Sequence, residues 1–257
     1  MSVRTWFSSP SVGAVLALVS AAAILCGAPP AAADEPPPQP DRAWFVELAL
    51  GEAVGGPADD LEDAMRAAGL DDYMEDWLGG NGSSYPRSSD EGTSLWGAAG
   101  RRLGDSRWSV GLGFGRTELG TVSGNRNIEG EPPGSFHIYS EVEMLTLAPV
   151  AWFKPVPAVR LGAGLALNRV DTQLGRSYTG DLDDESSWEP GLLVEAAVNA
   201  PVSSRFYFLA VLQYRWLDDG TMGPWQETAS TGEVVAFPET EVELAHGYYA
   251  VGLGVRF

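Results

Sequence analysis

The last eleven residues, "GYYAVGLGVRF" at positions 247–257, alternate between large apolar side chains and small ones. Every odd position from Tyr249 to Phe257 is large and apolar, and every even position from Ala250 to Gly254 is Ala or Gly. Because successive side chains of a β-strand point to opposite faces, this segment predicts a strand with one apolar and one nearly bare face. Glycine weakens a strand, so it is a poor residue for a water-facing surface. The pattern therefore favours a strand whose apolar face is turned outward.

The same alternation recurs upstream. Trp108, Val110, Leu112 and Phe114 alternate with Ser109, Gly111, Gly113 and Gly115, and Val159, Leu161, Ala163, Leu165 and Leu167 alternate with Arg160, Gly162, Gly164, Ala166 and Asn168. A third segment sets Phe206, Phe208, Ala210, Leu212, Tyr214 and Trp216 against a face that carries Gln213 and Arg215. The polar side chains thus share the face of the glycines, as expected for strands that are apolar outside and polar inside.

Eight segments have strand character, at about residues 43–54, 93–102, 106–119, 138–153, 158–171, 188–200, 205–216 and 243–257. Short turns at "LGDS", "KPVP" and "PVSS" alternate with four long links, at about 55–92, 120–137, 172–187 and 217–242. This rhythm predicts an all-β fold, an eight-stranded antiparallel up-and-down transmembrane β-barrel with short periplasmic turns and long external loops. "EVVAF" in the last link leaves ten strands open, and Pro149 and Pro190 inside strands indicate bulges.

Aromatic residues collect near the two predicted membrane interfaces, where Trp and Tyr are enriched. The predicted periplasmic ends hold Trp44, Trp108, Trp152, Phe206 and Phe257, and the predicted external ends hold Trp188, Tyr214 and Trp216. A secreted, water-soluble β-protein with a core of these aromatics is the alternative interpretation.

The N-terminus is typical of a cleaved export signal. Arg4 is the only charge before Asp34, an apolar stretch runs from about 12 to 26, and Ala31 to Ala33 supply small residues for cleavage. We expect residues 1–33 to be a signal peptide, 34–42 a Pro-rich periplasmic tail, and 43–257 the barrel. The alternatives are a transmembrane helix and lipid attachment at Cys26, the sole cysteine.

The formal net charge of −19 argues against nucleic acid as a partner, because phosphate contacts require Lys and Arg. Removing the signal peptide with Cys26 leaves a chain without thiols, which excludes disulfides, thiolate nucleophiles and cysteine metal sites. No cofactor is indicated. The long links hold 22 acidic residues and 4 arginines. The external side is therefore expected to be strongly negative.

These features resemble the small outer-membrane β-barrels of the OmpA, OmpX and opacity-protein type. The resemblance covers nearly the whole chain after the signal and implies a location in the bacterial outer membrane, in contact with its lipid. In such barrels the barrel-insertion machinery reads the last strand and its terminal aromatic residue. The resemblance assigns that role here to Tyr249, Val251, Leu253, Val255 and Phe257.

An eight-stranded barrel is narrow enough for its interior to be filled by side chains, so paired charges rather than an open pore are expected. The predicted interior charges are Glu47, Glu141, Glu143, Glu189, Glu195, Arg160, Arg215 and Arg256. A proton or ion path through the barrel is the alternative.

The two histidines, His137 and His246, lie near the outer ends of predicted strands and could meet at the external rim. Outer-membrane lipid A deacylases are barrels that use His, Ser and an acid, and "FHIYSEVE" offers His137, Ser140 and Glu141. However, His137 and Ser140 are three residues apart and should point to opposite faces. We therefore assign no catalytic residue.

The first long link predicts one short helix, capped by Asp59 or Asp60 and ended by Gly69, with Leu61, Met65 and Ala68 or Ala64 on its apolar side. It would either pack against the loops or act as a lid or interfacial element. In another link, Asp181, Asp183, Asp184 and Glu185 form the densest acidic group, which is either a solvated acidic surface or a site for a divalent cation.

The sequence thus predicts a non-enzymatic outer-membrane barrel that serves as an anchor or envelope-structural protein, with acidic external loops for interaction or adhesion. A small porin-like channel and a lipid-modifying outer-membrane enzyme are the alternatives, and no specific ligand or metal site is predicted.

Overall fold

Eight antiparallel strands close into a ring in the computed structural model, which describes residues 44–70, 87–89, 91–126, 128–129, 136–176 and 180–257. The ring strands are β1 (Trp44–Val54), β3 (Glu91–Arg102), β4 (Trp108–Arg126), β5 (Phe136–Val156), β6 (Val159–Arg176), β7 (Gly180–Pro201), β8 (Phe206–Leu217) and β13 (His246–Arg256). Their order is β4-β3-β1-β13-β8-β7-β6-β5, and β5 pairs back onto β4. The predicted eight-stranded up-and-down barrel is confirmed.

The remaining elements lie outside the ring. They are a helix α1 (Ala58–Ala67) and the short strands β2 (Arg87–Ser89), β9 (Gly220–Met222), β10 (Trp225–Thr228), β11 (Val234–Phe237) and β12 (Thr240–Val242). β2 adds to the upper part of β4, whereas β9 pairs only with β12 and β10 only with β11. The "EVVAF" segment therefore forms a separate hairpin, and the described ring has eight strands rather than ten.

The outside of the barrel carries an apolar band, a belt of large side chains that are 39% to 65% exposed. Its members are Trp44, Val46, Leu48, Leu50, Trp108, Val110, Leu112, Phe114, Leu145, Leu147, Leu161, Leu165, Leu167, Leu192, Val194, Phe206, Phe208, Leu212, Val251 and Leu253. Patches on water-soluble monomers are far smaller than such a belt, which is the surface of a transmembrane barrel. The outward apolar face predicted for the final strand is confirmed for Val251 and Leu253.

Four of the ring strands continue well beyond the apolar band. β1, β3, β8 and β13 have 11 or 12 residues, close to the length that spans a bilayer, but β4 to β7 have 18 to 22. We call residues 118–126, 136–144, 169–176 and 180–188 the extension. The predicted links 120–137 and 172–187 are thus partly strand, which corrects their assignment as loops.

Strand polarity inverts where the extension begins. In β6 the outward residues change from Leu165 and Leu167 to Arg169 and Asp171, while the inward residues change from Ala166 to Val170 and Leu174. In β5 the outward residues change from Leu147 and Leu145 to Glu143 and Glu141, and the inward ones from Ala148 and Thr146 to Met144 and Val142. An apolar outside suits hydrocarbon and an apolar inside suits water, so the inversion marks the edge of the membrane layer.

The inner face of the extension is covered by α1 and by one hairpin, in which β9 and β10 form one arm and β11 and β12 the other; together they form an upper core. Its buried members include Leu61 and Met65 of α1, Val122, Ile138, Val142, Val170 and Leu174 of the extension, and Met222, Val235, Phe237 and Val242 of the hairpin. The helix therefore packs against the loops, which is one of the roles predicted for it.

The predicted N-cap of α1 is wrong, because the N-cap residue is Pro57 and no side chain caps the helix. Asp60 instead accepts a hydrogen bond from the Glu243 amide at 2.8 Å. Gly69, at φ +73°, ends the helix as predicted.

Two further sequence expectations need correction. The strand register does not shift at Pro149 or Pro190, so neither marks a bulge; the shifts occur at Glu118/Thr121, Phe153/Val156 and Leu174/Gly175. Trp152 is fully buried inside the barrel and is not part of the aromatic girdle, whereas Trp44, Trp108, Phe206 and Phe257 are exposed at that end. At the other end Trp188 and Trp216 are exposed as predicted.

The predicted signal peptide and tail, residues 1–42, lie outside the described residues. In the described ranges, α1 is the one helix, and its length and composition are not those of a bilayer-spanning helix. Below, the "turn end" is the end of the barrel that holds the short turns 103–107, 157–158 and 202–205, and the "loop end" is the opposite one.

Candidate functional site

The lower half of the barrel interior holds a buried ion cluster. Arg160 donates to Glu47 Oε1 from Nη1 at 2.5 Å and to Glu195 Oε1 from Nη2 at 2.7 Å and from Nε at 3.1 Å. Tyr207 Oη also donates to Glu47 Oε1 at 2.5 Å, and Trp152 Nε1 to Glu195 Oε1 at 3.1 Å. Arg160 and both carboxylates are at most 4% exposed. A cluster so buried requires this pairing, because an isolated charge in the interior is costly.

The cluster crosses the interior. Glu47 belongs to β1 and Arg160 to β6, and four positions separate these strands in either direction around the ring. The Arg160–Glu47 contact therefore joins opposite walls. The rings of Phe45 and Trp152 lie against the same guanidinium, at 5.6 and 5.2 Å from its carbon atom.

In the upper half of the interior, a second arginine also connects opposite walls of the barrel. Arg215 of β8 donates to Thr117 Oγ1 at 3.2 Å on the opposite strand β4, and to Thr146 Oγ1 at 2.9 Å on β5. Its guanidinium lies over the rings of Trp96 and Tyr248. It also contacts the amide oxygen of Gln213.

Gln213 links the two arginine levels. Its amide nitrogen donates to Glu195 Oε2 at 3.2 Å, while its oxygen accepts from Arg215. Glu195 is thus shared between the cluster of Arg160 and, through one amide, the level of Arg215. Two arginines and two glutamates balance each other within this network.

Inward glycines make room for the large rings that fill the interior. A Cβ placed on Gly113 would lie 2.3 Å from the ring of Trp96, and one on Gly254 would lie 2.2 Å from the ring of Tyr207. The alternation of glycine with large residues therefore matters on both faces of the wall. The large residue points outward, and the glycine leaves space on the inner face for an aromatic ring.

The predicted interior charges are partly confirmed. Glu47, Glu195, Arg160 and Arg215 lie inside, and Glu189 and Arg256 are on inward positions near the two ends of the barrel. Glu141 and Glu143 are corrected: both point outward from the extension, because the inward positions there are Ser140, Val142 and Met144. Glu143 instead binds Arg116 through two contacts of 2.6 Å on the outer surface.

The histidines do not meet. His246 is fully buried inside the barrel, next to Arg215 in the ladder of β8 and β13. His137 lies nine residues along β5 from Thr146, the partner of Arg215, which is roughly 30 Å at the rise of a strand. The expectation of a shared rim site is therefore wrong. His137 and Ser140 point to opposite faces, as predicted from their spacing.

His137 is partly buried in the extension, and burial lowers its pKa below the ordinary value of 6.5. Its Nδ1 atom is buried, and no described residue lies within hydrogen-bond distance of it. His137, Tyr139 and Glu141 share one face of the strand as predicted, but Ser140 is not on it.

The outer wall of the extension carries a polar groove of about 300 Å³ above the apolar band. Glu141, Glu143, Arg169, Asp171, Gln173 and Ser186 contribute to its lining. Arg169 pairs with Asp171 at 2.9 Å. Among the described residues no group of three or more His, Cys, Asp or Glu is placed to hold a metal ion. The side chains of Asp181, Asp183 and Asp184 are outside the described part, so the cation hypothesis stays a prediction.

Sequence reasoning placed Gln213 on the inner face but missed the other neutral members of the interior network. Thr117 and Thr146 accept hydrogen bonds from Arg215, and Tyr207 donates one to Glu47. Strand parity was the available signal, because Thr146 and Tyr207 each lie between two outward apolar residues and must therefore face the interior.

The chain is similar to several solved outer-membrane proteins at low sequence identity. No family model and no curated protein matches the chain. Among solved structures, it is similar to the attachment invasion locus protein Ail of Yersinia pestis, with 15% identity, a TM-score of 0.41, and coverage of 84% of this chain and 99% of that one. It is also similar to OprG of Pseudomonas aeruginosa, with 14% identity, a TM-score of 0.47, and coverage of 84% and 96%. Neisserial surface protein A gives 13% identity, a TM-score of 0.42, and coverage of 83% and 97%.

At this level of similarity, no ligand or role of these proteins can be assigned to this chain. The fold rests instead on the closed ring of strands and its apolar band. The chain has the eight-stranded transmembrane β-barrel fold of the small outer-membrane proteins.

Proposed function

We propose that this chain is a non-enzymatic protein of the bacterial outer membrane, in which a closed barrel anchors an acidic platform for interaction outside the cell. The inversion of strand polarity at the start of the extension is the observation that supports this most. It assigns the apolar band to lipid and the extension to water. The upper core beneath the extension makes it a packed structure rather than a set of loose loops.

The filled interior supports an anchor rather than a channel. Two arginines contact opposite walls at different levels, and Trp96, Trp152 and Tyr207 fill the space between them. In planar bilayers we expect no steady conductance above that of the protein-free membrane. An ohmic conductance that scales with the amount of inserted protein would favour the small-channel alternative.

The orientation of the barrel can be tested with single cysteines, because Cys26 is the only native cysteine. In a Cys26→Ala background, Glu141→Cys should react with a membrane-impermeant maleimide on intact cells. Asp105→Cys, in a turn at the opposite end, should react only after the outer membrane is permeabilised. The reverse order of labelling would contradict the proposed orientation.

The outward face of the extension is expected to attract partners with positive charge. Glu118, Glu141, Glu143 and Asp171 lie on it together with Arg169, and Arg116, just below it on β4, pairs with Glu143. Charge of this kind mainly raises the rate of encounter and is weakened by salt. Cells that display the protein should retain more of a fluorescent poly-lysine probe than cells with Glu141→Gln and Asp171→Asn, and the difference should vanish at high salt. Equal retention at low salt would remove the proposed role of this face.

A further inference from the structure

The turn end of the barrel is basic, although the chain as a whole has a net charge of −19. Apart from Arg160, which is paired with Glu47 and Glu195 inside the barrel, six basic side chains of the described residues lie at this end, against one acidic side chain, Asp105. The six are Arg101, Arg102, Arg107, Lys154, Arg205 and Arg256. This excess of positive charge is the reverse of the acidic surface at the loop end.

Three of the six lie at the mouth of the barrel. Arg102 is paired with the buried Ser109 in the ladder of β3 and β4, and Arg256 with the buried Phe45 in the ladder of β1 and β13. Since paired residues of antiparallel strands share a face, these two side chains point to the mouth. Lys154 lies at the register shift between Phe153 and Val156, where it is partly buried and within electrostatic range of Arg102 and Arg256.

The mouth has more positive charge than its carboxylates balance. Lys154 lies within electrostatic range of Arg102, Arg160, Arg256 and Glu47. Glu47 and Glu195 are bound to Arg160, and Glu195 is also linked to Arg215 through Gln213. No described carboxylate lies within salt-bridge distance of Lys154, Arg102 or Arg256.

Two of these three cations are held in place by groups other than carboxylates. Arg102 Nε donates to the Gly104 carbonyl oxygen at 3.0 Å, and the Arg256 guanidinium lies 4.4 Å from the ring centre of Tyr207. Lys154 is partly buried and makes no side-chain hydrogen bond to a described residue. Like charges brought together out of water are unfavourable unless an anion joins them.

The floor of the mouth limits what can enter. Phe45, Trp152 and Tyr207 are at most 8% exposed and close the interior directly behind the three cations. Phe45 and Trp152 are in edge-to-face contact, with ring centres 5.3 Å apart. A ligand can therefore reach the cations from the turn end and not through the barrel. Guanidinium groups pair best with the oxygens of phosphate or carboxylate, and Lys adds a point charge.

We propose that Lys154, Arg102 and Arg256 form a binding site for a phosphate group at the turn-end mouth of the barrel. The phosphate can come from a free phosphate ion or from the head group of a lipid in the adjacent leaflet. The site is independent of the acidic platform, because it lies at the opposite end of the molecule.

The test is a titration of the purified chain with inorganic phosphate in a non-ionic detergent, followed by calorimetry. Chloride at about 0.1 M keeps the ionic strength constant and screens long-range attraction. We expect saturable binding that weakens about tenfold or more in Lys154→Gln, because one charged ligand is lost. Lys154→Arg keeps the charge and should retain most of the affinity.

The matched control is Arg205→Gln, which removes one positive charge from the same end but from an exposed turn residue. It should leave the affinity within about twofold of the native value, since an exposed charge acts only through a screened field. Absence of saturable phosphate binding, or equal losses in Lys154→Gln and Arg205→Gln, would overturn the proposal. A shift in gel mobility on boiling, measured for each variant, confirms that the barrel is folded.

Nanodiscs distinguish the two sources of phosphate. The titration is repeated in discs of phosphatidylcholine and in discs that also contain phosphatidylglycerol. If phosphatidylglycerol competes with phosphate in the native chain but not in Lys154→Gln, the site takes a lipid head group. If the anionic lipid leaves the phosphate affinity unchanged, the site takes the free ion.

Discussion

The two interior arginines differ in how their charge is balanced. Arg160 contacts two carboxylates directly, whereas Arg215 contacts hydroxyls, an amide and aromatic rings. Sequence parity was sufficient to place both of them inside. It could not show which partners they choose, because those lie on strands that are far away in the chain, such as β1 for Arg160 and β4 for Arg215.

The Arg160 cluster should contribute strongly to stability. Glu47→Gln keeps the size of the side chain but leaves Arg160 with one carboxylate, so we expect a loss of about 3 kcal/mol in the free energy of unfolding. Urea unfolding in detergent micelles measures it. The same change at Glu143, which pairs with Arg116 on the surface, should cost less than about 1 kcal/mol. Equal losses in the two variants would show that the interior ion pair contributes no more to the free energy of unfolding than the surface pair does.

His137 provides a pH-dependent prediction. Its pKa is lowered by burial, so the folded chain binds its proton less readily than the unfolded chain does. The resulting effect on stability is absent above pH 6.5 and becomes a destabilisation as the pH falls below that value. Titration of the ring followed by NMR should give a midpoint below 6.5 in the folded protein. A midpoint at or above 6.5 would contradict the buried position of the ring.

At the scale of elements, all eight ring strands were predictable from sequence, but the length of four of them was not. The sequence pattern that identifies the strands is an apolar outward face, and this pattern ends at Leu145 and Leu167. Beyond those residues the period of two continues with inverted polarity, in water rather than lipid. The prediction that Glu141 and Glu143 lie inside fails for the same reason, because it assumes one polarity along the whole of β5.

The helix α1 should stabilise the extension more than the barrel. Met65 is 2% exposed in the upper core, so Met65→Glu buries a charge among apolar residues. Hydrogen exchange of the amides in 138–144 and 170–174 should accelerate about tenfold or more, because local stability is lost there. Amides in 108–114 should keep their protection.

The control for this variant is Asp63→Asn on the exposed side of the same helix, where the side chain is 79% exposed. It should leave exchange in both regions unchanged. If Met65→Glu accelerates exchange equally in the extension and in 108–114, the two parts unfold as one unit and the upper core is not separate.

On the scale of the whole molecule, three layers follow one another along the barrel axis. A basic mouth at the turn end is followed by a charge-balanced, filled interior inside the apolar band, and then by an acidic extension over its own core. Composition alone predicted the acidic external side. The basic mouth was not predicted, because its members come from the ends of β3, β5 and β13, and only the closed ring brings them together.

The most direct test of the account is the accessibility of spin labels to molecular oxygen, which concentrates in hydrocarbon. Labels are attached one at a time along residues 161–167 of β6 in lipid vesicles. Positions 161, 163, 165 and 167 should be open to oxygen, and 162, 164 and 166 should be shielded, because outward and inward residues alternate. Uniform accessibility along the strand, or shielding at 165, which is 65% exposed, would contradict a barrel that presents its apolar band to lipid.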